Sequence, residues 1–188
     1  MLYILVTVVL ISLSLFILLP KFNHFTERYS LSINYCLTLI ATLVGVLLAI
    51  SITNIEADRK EKQDLIKLLK ASITSVETSY DYTESIIEYY NEHASKEQTK
   101  KDFFEKNRPP YPDYLDAFII QNIVSKNLSG HTLSELNEKM INLKRSRDNE
   151  AQLYLSVLNE TRRTLLLELS FQKNEIDESH LEKELDNL

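Results

Sequence analysis

Hydrophobic and polar positions divide the chain into an apolar first part and a charged second part. Uncharged runs cover residues 2–19 and 31–52 and are 18 and 22 residues long. A helix of about 20 apolar residues crosses the hydrocarbon core of a bilayer. The sequence therefore predicts an all-α membrane protein whose residues 1–54 form a transmembrane hairpin of two helices, with Pro20 ending the first helix.

Small and weakly polar residues follow one face of the second predicted span. They are separated by 4, 4, 3 and 4 positions, which is helical spacing: Asn34, Thr38, Thr42, Gly45 and Ala49. One interpretation is a close-packing seam between helices. The other is that several copies of the chain arrange this face around a narrow pore. Neither span contains a charged residue, which argues against a proton relay or a coupled transporter.

The residues after the second span predict a cytoplasmic helical domain over residues 55–173. A heptad-spaced series of mostly apolar side chains predicts a coiled-coil-like stem in a helical bundle: Ile66, Leu69, Ile73, Val76, Tyr80, Thr83, Ile87 and Tyr90. Such a seam is covered either by other copies or by other helices of the same chain. We assign Ile66, Leu69, Ile73, Val76, Tyr80 and Ile87 to an oligomer seam.

Breaks in the helical pattern predict how the domain is divided. Residues 94–112 combine a polar stretch with three prolines, which predicts a loop. Helices are predicted over residues 113–127 and, from a capping box that starts at Thr132, over residues 132–173. Residues 174–188 predict an acidic C-terminal tail or a short helix.

Composition and charge exclude several classes of protein. Two glycines cannot build a phosphate-binding loop, and a single cysteine excludes a disulfide framework within the chain. Residues 1–52 hold three charged side chains, whereas the rest hold 19 basic and 26 acidic ones, a net charge of −7. This charge argues against a general nucleic-acid binder.

The predicted loop contains the best candidate for a ligand site. It mixes cations with aromatic rings, which suits phosphate contacts and base stacking: Lys100, Lys101, Phe103, Phe104, Lys106, Arg108 and Tyr111. The alternative is a solvated loop or one that contacts anionic lipid. A second basic cluster comprises Lys144, Arg145 and Arg147, followed by Arg162 and Arg163.

Catalysis has little support in the sequence. His24, His93, His131 and His180 lie in separate segments without a recognisable nucleophile, and we predict no catalytic residue, no metal site and no cofactor. Among the tyrosines, the heptad spacing places Tyr82 and Tyr89 off the seam, and we expect them to pack on the helix that follows the loop.

Basic residues near the spans predict the orientation in the membrane. The turn between the spans holds Lys21 and Arg28, whereas the segment after the second span holds five basic residues: Arg59, Lys60, Lys62, Lys67 and Lys70. Because basic residues favour the cytoplasmic side, both termini are expected in the cytoplasm.

This layout, a membrane hairpin followed by a helical body without an enzyme motif, resembles small two-span effectors of bacterial anti-phage defence. The Hailong-type membrane effector channel is the closest comparison. The resemblance lies in residues 2–52 and 55–173 and carries over no ligand-binding residue. It implies a homo-oligomer, with a tetramer as the favoured number, in the bacterial inner membrane. It also implies a nucleotide or oligonucleotide signal and a cognate sensor or nucleotidyltransferase.

What the resemblance implies for function is a gated ion channel that depolarises the membrane. The rival hypothesis is a membrane-anchored scaffold or adaptor that recruits a cytoplasmic protein partner. A scaffold tolerates exchange of its spans for an unrelated hairpin, whereas a channel does not.

Overall fold

The computed structural model describes residues 2–17, 29–93, 99–147 and 150–188. Helices cover 86% of the described residues, and no strand occurs among them, which confirms the predicted all-α class. In chain order, the helices of these ranges are α1 (Leu2–Ile17), α2 (Ser30–His93), α3 (Lys100–Lys106), α4 (Tyr114–Ile119), α5 (Asn122–Asn127), α6 (Gly130–Ser146), α7 (Ala151–Gln172) and α8 (Glu178–Leu185).

Helix α2 contains 64 residues and changes in composition along its length. Its first part is the uncharged run that ends at Ile52, and the remainder is rich in charged residues. Within the described ranges, α2 is the one helix that is long and apolar enough to cross a membrane. The first predicted span corresponds to α1, of 16 residues, while residues 18 and 19 lie outside the described residues. The apolar part of α2 indicates that the chain associates with a membrane.

The chain divides into two compact units, and the boundary falls inside α2. The first unit is Met1–Lys60 and the second is Glu61–Leu188. In the most apolar stretch of α2, only 6% of the residues are buried. Contact with water would make so much exposed apolar surface unfavourable, and contact with lipid removes that cost.

The second unit has its own hydrophobic core. Helix α6 packs against α7, and α8 packs against both. The buried core residues come from α2, α4, α5, α6, α7 and the residue after α5: Leu65, Leu69, Ile73, Val76, Leu115, Phe118, Val124, Leu128, Leu136, Met140, Leu143, Tyr154, Val157, Leu158, Leu165 and Leu169. Leu181 and Leu185 of α8 are also buried, so most of the predicted terminal segment is a packed short helix.

The residues that we assigned to an oligomer seam lie in or beside this core. Leu69, Ile73, Val76 and Ile87 are buried within one chain, and Ile66 and Tyr80 are partly buried against the core cluster. A side chain that is buried in its own chain cannot also face another copy unless the core opens. The structure therefore places these side chains in an intramolecular core instead of an exposed oligomer seam.

The helix boundaries differ from the sequence prediction in three places. The predicted loop at residues 94–112 contains α3, which begins after Thr99 because the Thr99 hydroxyl accepts a hydrogen bond from the Asp102 backbone N–H at 3.2 Å. The helix predicted over residues 113–127 breaks at Ile120 into α4 and α5. The helix predicted over residues 132–173 is divided into α6 and α7, and residues 148 and 149 between them lie outside the described residues.

The start of α6 also differs from the predicted capping box. Ser129 is the N-cap, and its hydroxyl accepts a hydrogen bond from the Thr132 backbone N–H at 3.1 Å. Gly130 is the first residue of this helix. The Thr132 hydroxyl is then available to donate to Glu168 of α7, at 2.6 Å.

Candidate functional site

The polar face of α2 lies in the first unit and is uncovered along its whole length. Asn34, Thr38, Thr42, Gly45 and Ala49 are all exposed in the single chain. The Thr38 hydroxyl donates to the Asn34 carbonyl at 2.8 Å, and the Thr42 hydroxyl donates to the Thr38 carbonyl at 2.9 Å. The two hydroxyl protons are thus satisfied by the helix itself, while the Asn34 side-chain amide is exposed.

A different face of the same helix is partly covered. Its residues are spaced 4, 3, 4, 3 and 4 positions apart: Ile33, Leu37, Ile40, Val44, Leu47 and Ser51. The first five are half-buried and Ser51 is buried, so this is the least exposed face of the apolar part of α2. At 100° per residue the two faces point in clearly different directions. The polar face is therefore available for contacts outside the single chain, as are exposed apolar residues of the same segment such as Leu39 and Leu43.

The structure does not bring the predicted ligand-binding residues into one pocket. Phe103 is buried and Phe104 half-buried, and both rings pack against Tyr90 of α2, with centroid distances of 5.1 and 5.6 Å. Lys100, Lys106 and Arg108 are exposed. The side chain of Lys101 is not among those that the structure describes. The aromatic members of the set thus pack within the chain, while the cations described here face solvent.

Tyr111, the last member of that set, lies at a separate place. Its hydroxyl donates to Asp116 Oδ1 at 3.1 Å, and the Lys144 ammonium lies 5.4 Å from the centre of its ring. Lys144 Nζ also pairs with Asp116 Oδ1 at 2.9 Å. The ion pair links α4 to α6, and the cation–π contact links the segment before α4 to α6.

The proline segment before α4 is held by two side chains. The Tyr154 hydroxyl donates to the Pro110 carbonyl at 2.8 Å, and Arg147 Nε donates to the Pro109 carbonyl at 2.8 Å. Two prolines provide no backbone N–H groups, so their carbonyls are the groups that need partners. Arg147, from the predicted basic cluster, therefore stabilises the packing of this segment.

Burial raises the pKa of both tyrosines that hold this region together. For Tyr154, burial is the main cause, and the Arg147 guanidinium acts in the opposite direction. For Tyr111, burial is again the main cause, and the Asp116 carboxylate raises the pKa further. Both phenols are therefore kept neutral by the folded structure.

The raised pKa values predict that the second unit loses stability at alkaline pH. The unfolded chain releases phenolic protons at about pH 10, whereas the folded chain retains them to higher pH. The stabilisation is therefore fully present below that pH and is lost as pH rises through the folded pKa values. We expect the urea midpoint of the full chain to fall in this range, and to fall less steeply in the double variant Tyr111→Phe/Tyr154→Phe. An equally steep fall in the double variant would contradict this assignment.

Most of the second basic cluster is also engaged within the chain. The Arg162 guanidinium lies 5.7 Å from the centre of the Tyr80 ring, and Arg162 Nη1 is 4.0 Å from Glu77 Oε1. Together with the contacts of Lys144 and Arg147, this explains three of the five cations as contacts between helices. Arg145 lines a shallow groove of about 400 Å³ between α6 and α7, and Arg163 is exposed.

A buried carboxylate network has no counterpart in the sequence prediction. Glu168 is fully buried, and it accepts hydrogen bonds from the Thr132 hydroxyl at 2.6 Å, Gln172 Nε2 at 2.7 Å and the Ser129 backbone N–H at 3.3 Å. Gln172 also donates to the Asn127 carbonyl at 2.9 Å. The network joins the end of α5 and the start of α6 to α7. Its donors come from separate segments, so no local pattern indicates it.

Two tyrosines lie where the sequence did not predict them. Tyr82 and Tyr89 were expected to pack on the helix after the loop, but they are 60% and 57% exposed. They border a groove between α2 and α3. In the described ranges, no group of three or more His, Cys, Asp or Glu residues is arranged to hold a metal ion.

Comparison of the chain with protein-family models, curated proteins and solved structures finds no match. The resemblance to anti-phage effectors therefore stays a prediction that rests on the layout of the chain. The described structure is that of a helical protein in which a helix segment long and apolar enough to cross a membrane is followed by a unit with its own core.

Proposed function

We propose that the chain is a bacterial inner-membrane effector in which several copies assemble into a gated ion channel. In this proposal α1 and the apolar part of α2 form a transmembrane hairpin, and both termini are cytoplasmic. The polar face of α2 lines the pore. Opening of the pore depolarises the membrane, as the resemblance to the two-span anti-phage effectors implies.

The observation that carries this proposal is the exposure of the polar face while another face of α2 is partly buried. In lipid, an exposed side-chain amide such as that of Asn34 lacks a hydrogen-bond partner, and this raises the free energy. Contact with another copy or with water in a pore removes the cost. Gly45 and Ala49 add no bulk, so neighbouring copies can approach closely along this face.

Gating requires a signal that binds the open and closed states with different affinity, because equal affinity shifts nothing. We place signal binding in the second unit, which has a core of its own. A nucleotide, an oligonucleotide or a cognate sensor or nucleotidyltransferase protein is the proposed source. The five basic residues between Arg59 and Lys70 support the cytoplasmic placement of this unit.

Water access to the polar face tests the proposed pore lining. Cys36 is the single cysteine, so Cys36→Ser gives a background without thiols. In that background, Thr42→Cys is expected to react with a membrane-impermeant thiol reagent at least an order of magnitude faster than Leu43→Cys. The reason is that the reactive thiolate forms in water and not in hydrocarbon.

Leu43 is a matched control because it is the next residue along the same helix and is also exposed in the single chain. Labelling is measured by mass spectrometry on reconstituted full-length protein. Equal, slow labelling at both positions would mean that the polar face contacts lipid or protein, and it would contradict the pore lining.

The second candidate function is a membrane-anchored scaffold, and the exposed tyrosines near the end of α2 favour it. Such a protein needs the spans only as an anchor. Exchange of residues 1–54 for an unrelated two-span hairpin would then preserve its cellular effect, whereas the channel proposal predicts complete loss of that effect.

A further inference from the structure

An open groove with aromatic walls lies between α2 and α3 in the second unit. It has a volume of about 270 Å³ and is lined by Tyr82, Ser85, Ile86 and Tyr89 of α2, by Phe103 of α3 and by Asn107 after α3. Tyr82 and Tyr89 are seven positions apart and therefore lie on the same helix face. Both rings are more than half exposed, and packing within the chain does not explain the position of the Tyr82 ring.

One side of this groove is held in place by ring contacts. The Tyr89 ring stacks on His93 at 4.5 Å and faces Phe103 at 6.2 Å between centroids. Phe103 is itself buried and packs against Tyr90 at 5.1 Å. Among the described residues, by contrast, no ring or cation stacks on Tyr82. On one side of the groove, the rings of Tyr89 and Phe103 are packed against other rings. On the other side, the Tyr82 ring is exposed.

Carboxylates follow the adjacent face of α2. Between residues 77 and 92 the helix has five acidic residues and no lysine or arginine, and their spacing of 4, 3, 4 and 4 places them on one stripe, centred about 110° around the helix from Tyr82 and Tyr89. Glu77 lies 4.0 Å from Arg162, at the edge of ion-pair distance. The other four are exposed, and within the described ranges none has a lysine or arginine at ion-pair distance: Asp81, Glu84, Glu88 and Glu92.

Neighbouring polar groups neutralise little of the negative charge of these carboxylates. The Tyr80 hydroxyl approaches Glu84 at 3.5 Å, and His93 Nδ1 is 4.0 Å from Glu92. The α3 side of the groove contributes charges of both signs, with Asp102 opposing Lys100 and Lys106. The α2 side of the groove is thus uncharged and largely aromatic, and the adjacent face of α2 is acidic. We call the groove together with Asp81, Glu84, Glu88 and Glu92 the acidic aromatic face.

We propose that the acidic aromatic face docks a lysine- and arginine-bearing segment of a second protein. Carboxylates pair with ammonium and guanidinium groups, and an open tyrosine ring accepts a cation on its face. A second copy of this chain fits less well, because the part after residue 52 carries a net charge of −7. This inference goes beyond the channel proposal and does not depend on it.

Peptide binding to the full-length protein tests the proposal. The protein is placed in nanodiscs of neutral phosphatidylcholine, so that the lipid does not attract a basic peptide electrostatically. The probe is a fluorescent peptide of alternating arginine and alanine, and its affinity is measured by anisotropy. We expect Glu84→Gln/Glu88→Gln to weaken binding about 3-fold to 10-fold, which is typical of two exposed ion pairs.

A matched double variant controls for net charge. Glu138→Gln/Glu182→Gln removes the same charge from exposed positions on α6 and α8. It is expected to weaken binding by less than half as much on a logarithmic scale, because long-range attraction is screened by salt. Equal losses in the two double variants would overturn the proposal, since they would show attraction by net charge alone.

The open ring of Tyr82 provides a second, independent readout. Tyr82→Leu is expected to weaken binding about 2-fold to 5-fold, whereas Tyr82→Phe retains it, because the cation contacts the ring face and not the hydroxyl. A photo-crosslinking residue at Ile86 is expected to yield an adduct with the peptide. Unchanged binding by Tyr82→Leu, or an Ile86 adduct with a second copy in place of the peptide, would overturn the proposal. None of these readouts requires ion flux, so failure here is distinguishable from failure of the channel.

Discussion

Replacing Tyr154 by alanine is expected to lower the free energy of unfolding of the second unit by about 3–5 kcal/mol, the range for removal of a buried aromatic ring. Tyr154 is fully buried and belongs to the core cluster that joins α2, α4, α6 and α7. The substitution leaves a cavity and also removes the hydroxyl that donates to the Pro110 carbonyl. The full chain is used, and hydrogen exchange of the α7 amides reports the loss.

Two variants separate the contributions of the ring and the hydroxyl. Tyr154→Phe keeps the ring and is expected to cost about 1–3 kcal/mol, because the Pro110 carbonyl loses its partner. Tyr82→Ala removes an exposed ring and is expected to change the stability by about 0.5 kcal/mol or less. If Tyr154→Ala behaved like Tyr82→Ala, the described core would be incorrect.

Replacing Gly45 by tryptophan is expected to abolish ion flux through the reconstituted protein. Gly45 lies in the middle of the polar face of α2, and within the single chain a Cβ added there meets no atom within 4 Å. The chain itself therefore has room for the new side chain. Several indole rings at one level of a narrow pore would fill it, so the effect arises between copies and not within one.

Val46→Trp is the matched control, because it introduces the same side chain one position along and about 100° around the helix. It is expected to retain flux. Chemical crosslinking reports whether the copies stay assembled. Wild-type flux in Gly45→Trp would contradict the pore lining, and dissociation of the copies by Gly45→Trp would favour the close-packing seam.

Local spacing was sufficient to predict which side of several helices is buried. Leu136, Met140 and Leu143 recur at spacings of 4 and 3 along α6, and all three are buried. Leu69 and Val76 of the heptad-spaced series are likewise buried, although within one chain and not between copies. A hydrophobic period near 3.6 residues indicates which face of a helix is buried. Packing of that face stabilises the helix.

The same spacing could not predict which residues cover a buried face. Heptad positions such as Leu69 and Ile73 look alike whether a second copy or other helices of the same chain cover them. In the structure, other helices of the second unit cover these positions. Glu168 illustrates the related difficulty, because its hydrogen-bond donors at Ser129 and Thr132 are distant in sequence. Contacts of this kind depend on the tertiary arrangement, which local patterns do not encode.

The candidate sites show the same limit: spacing predicts which residues share a helix face, but it does not predict what that face contacts. The polar face of α2 was predicted from spacing, and its residues are exposed on one side of that helix. The loop residues were grouped by sequence proximity, but α3 turns Phe103 towards α2 while Tyr111 lies beside Lys144. Tyr82 and Tyr89 were expected to be covered, and only the folded chain reveals them as exposed.

Ion flux through liposomes that contain purified full-length protein tests the channel proposal most directly. The measurement compares protein-free liposomes with liposomes containing the wild-type chain, with and without mononucleotides or short oligonucleotides. The proposal predicts flux above the protein-free level that changes when the signal is added. Absence of flux under every condition, from protein shown to be folded and oligomeric, would contradict the channel and leave the membrane-anchored scaffold.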